Sequence, residues 1–129
     1  MPDILVEVRG NWLAGQQAGF LDVLHEAFVG ALKYPPGDKL LRLIEHAPAS
    51  YAIPHGMGEK FTRIEIVLFE GRSLDAKRAL YQAAVQALRP FGVPAGDVKI
   101  VLIEISTANV GFRGGKAACD VDLGYALGI

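Results

Sequence analysis

Between Ile4 and Val8, and again between Ile64 and Phe69, β-branched, aliphatic and aromatic residues dominate, and a glycine, Gly10 or Gly71, closes each run. Such runs read as short strands. Each is followed by apolar residues at spacings of three and four: Phe20, Leu24, Phe28 and Leu32 in the first case, Leu80, Tyr81, Ala84, Val85 and Leu88 in the second. That spacing gathers them on one side of a helix, a face that has to be buried. Two further apolar runs, Leu40 to Ile44 and Val98 to Ile105, complete the series as strands. The predicted order is strand, helix, strand, twice over.

The repetition extends to single residues. Pro35-Pro36-Gly37-Asp38 leads to Leu43-Ile44-Glu45, and Pro94-Ala95-Gly96-Asp97 leads to Leu102-Ile103-Glu104. Every matched position is displaced by the same interval, from Pro35 to Pro94 and from Glu45 to Glu104. The halves run from about residue 2 to 46 and from about 62 to 105, within one domain spanning 1–129. Between them, residues 47–61 carry Pro48, Pro54, Gly56 and Gly58 and read as a linker loop with room for a short extended piece. Beyond Ile105, Gly111, Gly114, Gly115 and Gly124 exclude a helix interior, so 106–129 is expected to form a hairpin or an arm packed on a neighbour.

Strands joined by one helix lie parallel, so the strand starts near Pro2 and near Asp38 fall on the same sheet edge. If the second half pairs antiparallel to the first, the strand end near Arg72 reaches that edge too, and an amine, a carboxylate and a guanidinium converge. The order of elements alone also fits a ferredoxin-like sandwich, whose functions are many. Ser73 is a good helix N-cap and Asp75 suits the first turn, so exposed amides there, with Arg72, would make a carboxylate-binding corner. An arginine before a helix is more often solvated, and the local sequence alone favours that reading. Pro2 is likewise an ordinary way to begin a strand. Removal of Met1, usual before a small residue, would leave a free secondary amine at a buried strand start. Burial and a nearby cation would keep that amine neutral enough near pH 7 to take a proton.

Composition narrows the field. About half of the 129 residues are apolar, which argues against disorder, and 13 basic against 14 acidic side chains are spread without a block of one sign, which argues against nucleic acid as a partner. The lone Cys119 excludes an intrachain disulfide framework and suits a reducing compartment. With no basic leader and no long apolar stretch, the expectation is a soluble cytoplasmic protein without a membrane segment. No Cys/His set has metal-ligand spacing and no Gly-rich phosphate loop follows a strand, so neither metal nor cofactor is expected.

Met1-Pro2 at the first strand, Gly37-Asp38-Lys39 before the second, and Gly71-Arg72-Ser73 through Lys77 and Leu80-Tyr81 at the second helix resemble the tautomerase superfamily over nearly the full chain. The resemblance is to its longer branch, which includes malonate semialdehyde decarboxylase; Asn109 to Gly114 looks like a degraded Asn-Trp-x-Phe-Gly stretch. It implies an α/β (α+β) fold: two β-α-β repeats related by pseudo-twofold symmetry, forming a four-stranded mixed sheet with two helices on one face. It also implies a homotrimer in which Pro2 is the acid or base, Arg72 binds a substrate carboxylate and Asp38 positions or activates a water or proton. The substrates it implies are small 2-oxo or unsaturated acids, handled without metal or organic cofactor.

Three departures from that branch bear on the chemistry. Decarboxylase members carry two arginines spaced one residue apart where this chain has Glu70 and Arg72; Leu40 stands where an aromatic residue often follows the aspartate, and Val110 replaces the tryptophan. These losses count against decarboxylase and dehalogenase activity. Keto-enol tautomerisation, needing only a proton shuttle and a carboxylate anchor, tolerates them better. Arg113, among flexible glycines, is the best second carboxylate contact, with Phe112 and Leu40 as further substrate-binding residues and with Phe112 and Tyr125 as pocket walls, from the same or an adjacent subunit. His25 is expected to be a satisfied boundary residue, His46 and His55 solvent-facing loop residues, and Cys119 inert and buried. The competing readings are an inactive trimeric binding or scaffold protein of this fold, a decarboxylase-type relative, and a ferredoxin-like ligand-sensing domain.

Overall fold

In the computed structural model, which describes residues 1–129, the chain order is β1 (Asp3–Arg9), α1 (Gln17–Leu32), β2 (Leu41–His46), β3 (Thr62–Phe69), α2 (Leu74–Leu88) and β4 (Val98–Ile105). The four strands form one sheet in the order β2-β1-β3-β4. Within each half the strands pair parallel, β1 with β2 and β3 with β4, and the halves meet through the antiparallel pair β1–β3. This is a mixed sheet built from two β-α-β repeats about a pseudo-twofold axis between β1 and β3. A ferredoxin-like order would make every neighbouring pair antiparallel, so that alternative is set aside.

Register explains which face is buried. Ile4, Val6 and Val8 stand opposite Ile66, Ile64 and Thr62, and all six are fully buried. Against them pack Phe20, Leu24, Phe28 and Leu32 of α1 and Leu80, Ala84 and Leu88 of α2. Each large apolar side chain taken wholly out of water contributes about 1.5–3 kcal/mol, far more than helix propensity supplies, so burial of these stripes fixes both helices on one face. Tyr81 and Val85 are only half-buried; they line an apolar cavity of about 430 Å³ with Pro54, Met57 and Phe61. The other sheet face is free of helices and presents Leu5, Glu7, Arg63, Glu65 and Val67, partly exposed, with Ile44 and Ile103 more open at the flanks.

Three sequence expectations need correction. β2 begins at Leu41 and runs on to His46, because its pairing with β1 continues to the pair Arg9–His46. The linker holds a single 3₁₀ turn, Pro48–Ser50, and no extended piece. The arm does form a small hairpin, β5 (Gly111–Phe112) with β6 (Lys116–Ala117), but its last residues fold back on their own chain. No helix is long and apolar enough to cross a membrane.

Candidate active site

The antiparallel join brings the end of β3 to the start of β1, with Val67 opposite Asp3, and parallel pairing brings Leu41 opposite Ile4. Pro2, the Asp38 loop and Arg72 therefore gather at one corner of the sheet. Pro2 is buried and Met1 half-buried above it. The Met1 α-amine is pushed below its ordinary value of 8.0, first by burial; Asp38 and Asp3 oppose the shift, and Arg113 and Arg72 add to it. One amine thus feels the carboxylate and both guanidinium groups named from the sequence.

Arg72 is not the solvated residue that its local sequence favours: it is 6% exposed. Its Nη1 donates to the Phe69 carbonyl at 3.0 Å and Nη2 reaches the Leu32 carbonyl at 3.5 Å, tying the end of β3 to the end of α1. Its Nε is buried with no partner. A buried unpaired donor on a charged group is costly, and an incoming oxygen would relieve that cost. Ser73 caps α2, its Oγ accepting from the Ala76 amide at 3.1 Å. The exposed-amide part of the expected corner is corrected, however, since the Ser73 amide and Oγ both donate to the Ile129 main-chain oxygen, at 3.3 and 2.7 Å. Just before it, Gly71 holds a φ of +128°, and a Cβ there would meet the Leu127 carbonyl oxygen at 3.2 Å. Only glycine combines that conformation with so close a strand of tail.

Asp38 sits after a turn closed by its own amide on the Pro35 carbonyl at 2.9 Å. A clamp unseen in the sequence steadies that turn. His25, 7% exposed on α1, has Nε2 at 2.8 Å from the Pro36 carbonyl and Nδ1 at 3.1 Å from the Tyr34 hydroxyl. The carbonyl can only accept, so Nε2–H donates to it, while Nδ1 shares a hydrogen bond with the Tyr34 hydroxyl. His25 is satisfied, as expected, and its partners place it directly behind the Asp38 loop. Burial, then Asp38 and Tyr125, push the Tyr34 hydroxyl well above the usual phenol range. The apolar run ending at Leu32 and the Tyr34-Pro35-Pro36 sequence after it were the signal: a tyrosine buried at a helix exit needs a partner for its hydroxyl.

The remaining residues divide. Arg113, at a φ of +51°, donates to the Asp122 carbonyl at 3.0 Å and lies over the Phe112 ring, 4.8 Å from its centroid, yet its charge still reaches the N-terminal amine. Leu40 is 49% exposed beside the Asp38 loop and Glu70 is exposed after β3. Val110 follows a 3₁₀ turn, and its carbonyl accepts from the Ala118 amide at 2.9 Å, so it has a backbone role in the hairpin. His46 lies at the far end of β1 and β2, paired with Glu7 at 2.7 Å, too distant to join Pro2. His55 lies in an exposed turn of the linker. Cys119 is exposed, a correction to its expected burial.

Tyr125 belongs to the corner through its own chain. Its hydroxyl donates to the Met1 carbonyl at 2.8 Å and its ring lies over Arg72, 5.7 Å from centroid to guanidinium carbon. None of the four cavities is lined by Pro2, Asp38, Arg72 or Tyr125; Met1, half-buried, occupies the corner between them.

Comparison with known proteins bears on this corner. Residues 38–113 match the model of the Tautomerase_2 family, "Tautomerase enzyme", a span that includes Asp38, Arg72 and Arg113 and starts after Pro2. A malonate semialdehyde decarboxylase inhibited by 3-bromopropiolate superposes with a TM-score of 0.81 at 26% identity, over 90% of this chain and 92% of that one. A symmetric trimer of wild-type fused 4-OT does so at 0.81 and 25%, over 92% and 97%. Pt0534 inactivated by 2-oxo-3-pentynoate reaches 0.84 at 20%, over 94% and 100%, and so speaks for the fold alone. No curated protein sequence matches the chain. With more than half the sequence under the family's model and its fold shared with these enzymes along nearly their whole length, the chain belongs to the tautomerase superfamily.

Proposed function

We propose that this chain is a cofactor-free tautomerase of small 2-oxo or enol carboxylic acids, in which Pro2, freed by removal of Met1, carries the proton between carbon and oxygen. The observation that supports this most is the setting of the N-terminal amine: its proton affinity is lowered by burial and adjusted by Asp38, Arg113 and Arg72 at one corner. Pro2 nitrogen, one peptide unit further into the same corner, takes over those neighbours when Met1 leaves. Arg72, with its unpaired Nε, anchors the substrate carboxylate. Asp38 balances the charge of the protonated proline, Arg113 supplies a second carboxylate contact, and Phe112 and Leu40 wall the site. The reaction is proton transfer by a positioned amine, worth about 10²–10⁴ in rate.

The chain works as a homotrimer in this reading, which gives the helix-free sheet face, with Ile44 and Ile103 still 42% and 40% exposed, a partner to cover it. Its place is the cytoplasm, where a single exposed thiol stays reduced. The 26%-identical decarboxylase keeps decarboxylation as a second reading, although Glu70 is exposed where a second arginine would be wanted.

Intact mass followed by a phenylpyruvate enol–keto assay tests the proposal. The expected result is a chain lacking Met1, turnover by the wild type, and a Pro2→Ala variant that keeps its circular dichroism spectrum but loses about 10²–10⁴ in kcat. A wild type that retains Met1 and leaves phenylpyruvate untouched favours an inactive scaffold instead.

A further inference from the structure

The Met1 carbonyl oxygen marks a position in the corner, beside Pro2 nitrogen and bonded to Tyr125, that a substrate oxygen could take. It belongs to the acyl group on Pro2 nitrogen, so peptide geometry places it roughly 2.3 Å from that nitrogen. The Tyr125 hydroxyl donates to it at 2.8 Å, and hence lies within about 5 Å of the nitrogen. When Met1 is cleaved its acyl group leaves, the space beside the secondary amine nitrogen opens, and the hydroxyl loses its acceptor. A part-buried phenol without a partner is unfavourable, and the vacated position admits an oxygen of similar charge.

We propose that Tyr125 is a catalytic residue of the proposed tautomerisation, its hydroxyl donating a hydrogen bond to the C2 oxygen of a 2-oxo acid lying in the space that Met1 occupies. This rests on the reading of Pro2 as the proton carrier. The step balances without a further reactant: Pro2 nitrogen takes the C3 proton, the electron pair of that C–H bond forms the C2–C3 double bond, and the C2 oxygen gains negative charge. Tyr125 keeps its own proton throughout. It stabilises the charged oxygen until the Pro2 ammonium returns a proton to it, and the reverse sequence runs the other way.

Three observations fit a donor and not a general acid. Burial holds the Tyr125 hydroxyl above the usual phenol range even though Arg72 pulls it down, so the proton stays on the oxygen. The ring rests over the Arg72 guanidinium, which fixes the direction of the hydroxyl. The backbone on either side is tied down, by the Gly124 amide donating to the Asp122 carboxylate at 2.9 Å and by the Ile129 oxygen at Ser73. Arg72 thus serves the carboxylate end of a substrate while the tyrosine serves its carbonyl end. A second donor of that kind offsets the arginine missing at Glu70.

The test is Tyr125→Phe in protein shown by mass to lack Met1, assayed for phenylpyruvate turnover and for phenylpyruvate binding by calorimetry. The ring is retained, so the contact with Arg72 remains. Loss of about a hundredfold in kcat, with KM changed by less than about twofold and an unchanged melting midpoint, is the expected result. If wild type turns over, Pro2→Ala does not, and Tyr125→Phe matches wild type in both assays, the tyrosine assignment is wrong while the proline reading stands. If wild type binds phenylpyruvate without turnover and Tyr125→Phe weakens binding by about tenfold, the tyrosine contact stands and the catalytic reading falls. A wild type that neither binds nor turns over overturns both.

Discussion

At the scale of single residues, the corner is governed by how two guanidinium groups and two carboxylates divide their influence over one amine. Burial lowers the proton affinity of the N-terminal amine most; Asp38 opposes that effect and Arg113 adds to it. Removing one charge or the other must therefore move the amine in opposite directions. In a chain that keeps Met1, Asp38→Asn is expected to lower the amine's pKa further and Arg113→Ala to raise it, each followed by NMR titration of the labelled N-terminal residue. Equal or same-signed shifts would show that neither side chain addresses this amine. The legible part of the corner was its convergence: Pro2, Asp38 and Arg72 could be expected to meet because each stands at a predicted strand or helix boundary. Arg72's burial could not be read from its neighbours, because the carbonyls that hold it, Phe69 and Leu32, come from two different elements.

Among elements, α2 has the most exacting start. Ser73 Oγ accepts from the Ala76 amide and donates to the Ile129 oxygen, so one hydroxyl both caps the helix and fastens the tail. Ser73→Ala loses both bonds and is expected to cost about 1 kcal/mol, measured by urea denaturation. Ser73→Asp keeps the cap but has no proton to donate to the Ile129 oxygen and sets a carboxylate beside it, so its midpoint should recover only part of the loss while amide exchange in residues 125–129 quickens. Slow exchange in that variant would mean the tail is held by other contacts. The cap was readable from Ser73 and Asp75, as were the strands and helices, since periods of two and near four are written into neighbouring residues. The tail was not, because its glycines give no period and its partners lie far off in sequence; Tyr125 meets Met1 across a separation of 124.

For the whole molecule, the helix-free sheet face is the open question that the fold poses. It mixes Leu5, Val67, Val101 and Ile103 with the hydrogen-bonded pair Glu7–His46 and the ion pair Arg63–Glu65, too apolar for a face left in water and too polar for a core. An interface between subunits has that composition. We expect a trimer by light scattering, and Ile103→Glu, which places a charge on that face without touching the corner of Pro2, to shift the protein toward monomers at micromolar concentration. A trimer undisturbed by the substitution would place the interface elsewhere.

The hydrogen bond from Tyr125 to Met1 also orders events in time. On a ribosome adding about 5–20 residues per second, the N-terminus waits roughly 6–25 s before the tyrosine that covers it has been made. During that interval Met1 is open to an aminopeptidase; afterwards Tyr125 is bonded to the carbonyl of the very peptide group that has to be cut. On the proposed reading of Pro2, slowing methionine removal until after release should trap a population that keeps Met1, distinguishable by mass, in which the tail has closed over the residue whose loss the proposed reaction requires.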